Sequence, residues 1–157
     1  MEKLYIICIE DQREVLNTIS EQLEAFEDYC VVEECESADE AHELVEEIDA
    51  KGDFIAVVIS DHVMPGQSGV DFLIELNTDG RFNSTKKILL TGQATHIDTI
   101  NAINQAGINN YVEKPWQEKD LTSKVSTLLT EFIVEQGINY EEFSPVLDKQ
   151  KLFELIR

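Results

Sequence analysis

Short apolar segments alternate with longer amphipathic segments along most of the chain, and this alternation limits the fold more than any other feature. Leu4–Ile9 and Phe54–Ile59 are apolar throughout, as strands covered on both faces of a sheet should be. In residues 117–136 the apolar side chains instead recur at helical spacing, which predicts an amphipathic helix. Repeated alternation of this kind predicts an α/β fold with a doubly wound, five-stranded parallel sheet.

The boundaries of the other elements follow from the same patterns. Ser37 and Glu40 have the spacing of a capping box, which predicts a helix start there. The remaining strands are predicted at residues 29–32, 87–90 and 110–112, and the remaining helices at 12–26, 37–48, 69–77 and 95–106.

Charge and cysteine content exclude several function classes. The net charge is −20, and residues 1–53 hold 18 acidic and three basic side chains. Direct nucleic-acid binding by this segment is therefore not expected, because phosphate contacts need clustered Lys and Arg. No apolar run is long enough to span a membrane, and the N-terminus lacks the pattern of a signal peptide. Three cysteines without metal-ligand spacing are typical of a cytoplasmic protein.

Polar side chains follow four of the predicted strands. Ligands of doubly wound sheets bind beyond the carboxyl ends of the strands, so these residues are the candidates for chemistry. Three carboxylates at one edge repel one another unless a cation lies among them, and oxygen ligands of this kind suit Mg²⁺. An ammonium and a hydroxyl nearby would complete a site for phosphorylating an aspartate. The candidates are Glu10, Asp11, Asp61, Thr91 and Lys114.

The chain resembles bacterial two-component response-regulator receiver domains over residues 1 to about 135. The resemblance rests on the acidic pair Glu10-Asp11 and on Asp61–Gly69, which fits the pattern D-x-x-M-P-x-x-x-G. It continues with residues 89–92, with Ala106-Gly107 and with the segment from Tyr111 to Pro115. It implies a flavodoxin-like (βα)5 receiver fold for residues 1–136, followed by a C-terminal helical extension or linker at 137–157.

The resemblance also implies a role for each residue of the site. Asp61 is expected to accept a phosphoryl group from a histidine kinase or phosphotransfer protein. Glu10, Asp11, Asp61 and the Val63 carbonyl are expected to hold Mg²⁺, and Lys114 to pair with a phosphoryl oxygen. Thr91 and Tyr111 are expected to switch the face formed by the fourth helix, fifth strand and fifth helix. That face would contact a partner, an output module or a second copy.

Two other functions remain to be distinguished from this one. A phosphatase of the haloacid-dehalogenase type would need an acidic residue two positions after Asp61, where this chain has Val63. A degenerate receiver that serves only as a protein-interaction module would lack part of the site, whereas this chain has every residue. The receiver is therefore predicted to be a signalling domain that catalyses only its own phosphorylation and dephosphorylation.

Two further expectations concern the phosphate lifetime and the tail. The resemblance implies that Val63 and Gln93 flank the approach of the hydrolytic water, and the apolar Val63 is expected to slow phosphate loss. In the tail, Ser144-Pro145 predicts the start of a short amphipathic helix. That tail either folds back on the domain, links it to an output module or forms a dimer contact.

Overall fold

The computed structural model describes residues 2–92 and 97–157, apart from the side chains of residues 97–99 and 102. The described chain forms one parallel sheet with the strand order β2-β1-β3-β4-β5. Its strands are β1 (Leu4–Ile9), β2 (Val31–Cys35), β3 (Phe54–Asp61), β4 (Lys86–Thr91) and β5 (Asn110–Glu113). This order confirms the doubly wound, flavodoxin-like sheet predicted from the sequence.

Helices cover both faces of the sheet. The α-helices are α1 (Arg13–Gln22), α2 (Ala38–Lys51), α3 (Gly69–Thr78), α4 (Ile97–Ala106), α5 (Glu118–Glu135) and α6 (Lys149–Ile156). Short 3₁₀ helices lie at Glu24–Phe26, Gly80–Phe82 and Tyr140–Val146. No helix in the described part of the chain is long and apolar enough to cross a membrane.

Some boundaries differ from the sequence prediction. The first helix ends at Gln22 instead of residue 26, because a 3₁₀ turn follows it. Tyr29 and Cys30 donate backbone hydrogen bonds to the Phe26 carbonyl, so the second strand begins only at Val31. The fourth helix was predicted from residue 95, which lies outside the described residues.

The sheet divides the core into two layers because successive side chains of a strand point to opposite faces. Ile6 and Cys8 of β1 belong to the layer beneath α1 and α5, whereas Ile7 and Ile9 belong to the layer beneath α2 and α3. All four side chains are fully buried. This two-sided burial explains why β1 and β3 have no polar alternation in the sequence.

At the amino end of the sheet, two consecutive lysines of β4 are buried. The Lys86 ammonium lies 2.9 Å from the Glu135 carboxylate at the end of α5. The Lys87 ammonium donates to the Thr85 carbonyl at 3.1 Å and to the Asn77 side chain at 3.4 Å. Burial, together with the charge of Lys86, lowers the pKa of Lys87. Both ammonium groups are therefore held by neighbouring protein groups.

The tail packs on α5. Phe143, Val146 and Leu147 are buried against the core layer beneath α1 and α5. The helix prediction at Ser144-Pro145 was wrong: Pro145 lies inside the 3₁₀ helix, and α6 begins at Lys149. The start is shifted because Asp148 caps α6, accepting from the Lys151 backbone, while its own backbone N–H donates to Thr130 of α5.

Candidate functional site

Three carboxylates meet at the carboxyl end of the sheet. Glu10 and Asp11 follow β1, and Asp61 is the last residue of β3. Because β1 and β3 are neighbours, with Ile9 opposite Ser60, their ends lie side by side. One oxygen from each of the three residues lies within 4.8 Å of the others. Glu10 is fully buried and Asp61 is 7% exposed, whereas Asp11 lies at the surface.

In the described part of the chain, one ammonium group contacts this cluster. The Lys114 nitrogen lies 2.7 Å from Asp61 Oδ1 and 3.4 Å from Glu10 Oε2. Lys114 directly follows β5, and its backbone N–H donates to the Thr91 carbonyl at 2.8 Å. That bond extends the β4–β5 ladder by one residue and directs the lysine towards the carboxylates. The Lys114–Pro115 peptide bond is cis.

Backbone N–H groups hold two of the carboxylates in place. The Gln12 N–H donates to Glu10 Oε1 at 3.2 Å, and the His62 N–H donates to Asp61 Oδ1 at 2.9 Å. Sequence reasoning missed both donors. No sequence signal could have revealed them, because every non-proline residue carries the same backbone group.

Burial makes the cluster costly to ionise. Loss of solvent, followed by the negative charge of Asp61, raises the pKa of Glu10 to about 7, although Gln12 and Lys114 oppose the shift. Burial also lowers the pKa of Lys114, but its bond to Asp61 and the charges of Asp61 and Glu10 outweigh this and raise it. Among the described residues, one ammonium thus faces three carboxylates, and the excess charge is negative.

Gly69 is required by the close approach of α3 to the end of β3. A methyl group on Gly69 would lie 1.7 Å from the Asp61 carbonyl oxygen and 2.5 Å from the Ser60 hydroxyl oxygen. The Gly69 N–H donates to the His62 carbonyl, and the Ser60 hydroxyl donates to the Asp61 carbonyl. The last glycine of the D-x-x-M-P-x-x-x-G pattern therefore positions the backbone of Asp61.

The remaining predicted site residues lie around Asp61 or on the neighbouring surface. A cleft of about 250 Å³ is lined by Asp61, His62, Val63, Thr91, Gly92 and Lys114. Thr91 is buried, whereas the Val63 side chain is 74% exposed. Tyr111 is 41% exposed on β5, and Lys124 of α5 donates to its carbonyl at 2.9 Å. Gln93, predicted to flank the water, lies outside the described residues.

The donor set fits a hard divalent cation. Carboxylate oxygens are preferred Mg²⁺ ligands, and Mg²⁺ is usually held by one or two carboxylates together with water and phosphate oxygens. The excess negative charge of the carboxylates favours cation binding here, and the cleft beside Asp61 has space for a phosphoryl group. The arrangement can therefore support phosphoryl transfer to a carboxylate.

Comparison with known proteins gives a family assignment. The family model of the response regulator receiver domain matches residues 6–126. The chain is similar to chemotaxis protein CheY1 of Helicobacter pylori, with 33% identity over 92 residues that cover 59% of this chain and 73% of that protein. It is also similar to the transcriptional regulatory protein CpxR of Escherichia coli, with 26% identity, covering 94% of this chain but 59% of that protein.

Solved structures support the fold. A CheY-like response regulator receiver domain protein from Methanospirillum hungatei superposes with a TM-score of 0.71 at 24% identity, covering 86% of this chain and 99% of that one. The signal receiver domain of an HD domain-containing protein from Pseudomonas fluorescens gives 0.73 at 22% identity, covering 87% and 94%. Because both identities are below 25%, these two structures show a shared fold and nothing more specific.

Proposed function

Because the chain belongs to the response regulator receiver domain family, we propose that it is a phosphoacceptor signalling domain with Asp61 as the acceptor. A histidine kinase or phosphotransfer protein would donate the phosphoryl group in the cytoplasm. We assign residues 1–136 to the receiver and residues 137–157 to a helical extension. The observation that carries the proposal is the buried Asp61 carboxylate, 2.7 Å from Lys114 and beside two further carboxylates.

In the proposed reaction a carboxylate oxygen of Asp61 attacks the phosphorus atom. A new O–P bond forms while the P–N bond to the donor histidine breaks, and its electron pair stays on the imidazole. In the described part of the chain, the Lys114 and His62 hydrogen bonds both fall on Oδ1. They fix the carboxylate plane and leave Oδ2 as the nucleophile.

Glu10, Asp11, Asp61 and the Val63 carbonyl would hold Mg²⁺. The bound ion would supply positive charge against the phosphoryl oxygens. Lys114 supplies the protein's own positive charge and would pair with one of those oxygens. Glu10 is fully buried and tied to Gln12, so it keeps the cluster in position without contacting solvent. The domain would catalyse only its own phosphorylation and dephosphorylation.

The phosphoryl group would then change the shape of one face of the domain. Phosphorylation adds roughly −1.5 to −2 charges and three acceptor oxygens, which favour the approach of the Thr91 hydroxyl. Thr91 ends β4, next to β5 and its Tyr111, so movement there can reach α4, β5 and α5. We propose that a partner, an attached output module or a second copy reads this face, without direct nucleic-acid binding by this segment.

Beryllofluoride with Mg²⁺ tests this proposal, because it mimics an aspartyl phosphate without a kinase. Amide chemical shifts of Tyr111 and of the site should change in the native chain and stay constant in Asp61→Asn. Thr91→Ala should bind the mimic but lose most of the response at Tyr111. If the chemical shifts of the native chain do not change with beryllofluoride, the chain is a degenerate receiver and the proposal is wrong.

A further inference from the structure

Helix α6 carries an exposed stripe of apolar and basic side chains. Phe153 is 64% exposed and Ile156 46% exposed, and their spacing places them on one flank of the helix. Lys149, which also donates to Ser144 of the same chain, and Arg157, which directly follows α6, lie four residues before and after Phe153 and border the same flank. We call Lys149, Phe153, Ile156 and Arg157 the basic–apolar stripe. Another flank of α6 packs on α5, with Leu152 against the core and Lys151 paired to Glu131.

A groove of complementary character lies at the amino end of the sheet, where β1 and β2 begin. Its volume is about 460 Å³. Its floor includes Tyr29 and the buried Phe143 of the tail, whereas its rim carries Glu2, Glu27, Asp28 and Glu142, all four exposed. Lys3 is the one basic residue in the described lining. We call this feature the acidic groove.

Charge decides what can cover the basic–apolar stripe. Residues 149–157 contain three basic side chains and one acidic side chain, although the whole chain carries −20. Repulsion of that large negative charge disfavours docking of the helix on an anionic membrane. Direct pairing of two α6 stripes would bring Lys149 and Arg157 against like charges. An apolar surface with an acidic rim would cover the apolar side chains of the stripe and pair with its basic side chains.

We propose that the basic–apolar stripe of one copy docks in the acidic groove of a second copy, forming a symmetric dimer. Phe143 of the groove and the α6 cap Asp148 are five residues apart, so a short stretch of chain joins the groove to the stripe. Complementary patches on one chain allow a two-fold exchange in which each copy provides both. The two contacts occupy both stripes and both grooves, so no patch is left open for further association.

This dimer is separate from the switching proposed above. The acidic groove lies at the amino end of the strands, whereas Asp61 lies at their carboxyl end. The contact also differs from the face formed by α4, β5 and α5. Dimerisation through α6 should therefore be the same before and after phosphorylation, and in Asp61→Asn.

Sedimentation velocity on the 157-residue chain tests the contact. The native chain should dimerise with a dissociation constant in about the micromolar range, and high salt should weaken it. Phe153→Glu and Glu142→Lys should each weaken it by about tenfold or more, because each reverses the complementarity. Phe153 and Glu142 are exposed, so these variants should fold. Glu43→Lys on α2 makes the same charge change away from the contact and should dimerise normally.

A mixture of two single variants makes the test decisive. Lys149→Glu and Glu142→Lys should each be monomeric alone, but together they should form a heterodimer, since one contact is native and the other has both charges exchanged. Monomeric native chain, a mixture that stays monomeric, or unchanged dimerisation of Phe153→Glu would overturn the proposal. Recruitment of the native chain to anionic vesicles, lost in Phe153→Glu, would assign the stripe to a membrane instead.

Discussion

Both ends of the sheet bury charged side chains, but protein groups hold the described ammonium groups at the amino end, whereas carboxylates outnumber ammonium groups at the carboxyl end. Lys86 meets Glu135, and Lys87 is held by the neutral oxygens of Thr85 and Asn77. At the other end, Lys114 faces Glu10, Asp11 and Asp61. The amino end therefore has no excess of carboxylates among the described residues, whereas a bound cation would stabilise the carboxyl end. The comparison separates structural charges from those that can serve a reaction.

The largest effect should come from adding a methyl group at the carboxyl end of the sheet, where α3 approaches β3 closely. Gly69→Ala should lower the free energy of unfolding by at least about 2 to 3 kcal/mol, because the added methyl overlaps the Asp61 carbonyl. Gly80→Ala is the matched control, since a methyl there has no neighbour within 4 Å. Its effect should stay within about 1 kcal/mol. Urea denaturation measures both, and equal losses would contradict the close approach at Gly69.

The two ends should also differ when a lysine is neutralised. Lys114→Met should slow phosphorylation by acetyl phosphate on the order of 100-fold, because it removes the ammonium that pairs with a phosphoryl oxygen. Lys86→Met removes a buried ammonium at the opposite end and should leave the rate unchanged. Rates come from a time course of intact mass. Similar rates for the two variants would mean that Lys114 is only a structural ion-pair partner.

In the metal-free protein, an effect on stability of at most similar size should follow when one carboxylate of the cluster is replaced by an amide. Folding raises the pKa of Glu10 from its ordinary 4.5 to about 7. Between these two pH values, Glu10 keeps a proton in the folded chain that it has lost in the unfolded chain. Stability contributed by this proton is present below pH 4.5 and is lost as pH rises through about 7. Glu10→Gln should therefore stabilise the metal-free protein by up to about 3 kcal/mol at pH 8.

The pH dependence supplies the control for this prediction. The gain should shrink towards pH 5, where Glu10 is already protonated in the folded chain. Glu14→Gln on the exposed side of α1 should show no such trend. Thermal melts in a chelating buffer measure the difference between each variant and the native chain. A gain that is constant with pH would contradict the assigned burial of Glu10.

The smallest effect concerns the lifetime of the phosphorylated state. Val63 is 74% exposed in the cleft beside Asp61 and cannot hydrogen-bond a water. Val63→Asn offers the hydrolytic water a polar partner and should speed dephosphorylation by roughly a few-fold, which corresponds to less than about 1 kcal/mol. Loss of phosphate can be followed by mass after the donor is removed. An unchanged or slower rate would show that water access at this side chain does not limit hydrolysis.

The sequence allowed the carboxyl end of the sheet to be predicted far better than the amino end. An apolar strand ends visibly where Glu10, Asp61 or Lys114 follows it, so neighbouring strand ends could be brought together by topology alone. The Lys86–Glu135 pair joins residues 49 apart and has no local pattern. The start of β2 and the cap at Asp148 were missed for a similar reason. Contacts with Phe26 and Thr130 decide them, and those contacts exist only after packing.

Phosphorylation of Asp61 is the central claim, and intact-mass measurement with acetyl phosphate tests it most directly. With Mg²⁺ present, the native chain should gain one phosphoryl group, and Asp61→Asn should gain none. Chelation of the ion should prevent the gain in the native chain while leaving the fold intact. Equal phosphorylation of the native chain and Asp61→Asn would contradict the assignment of Asp61 as the acceptor.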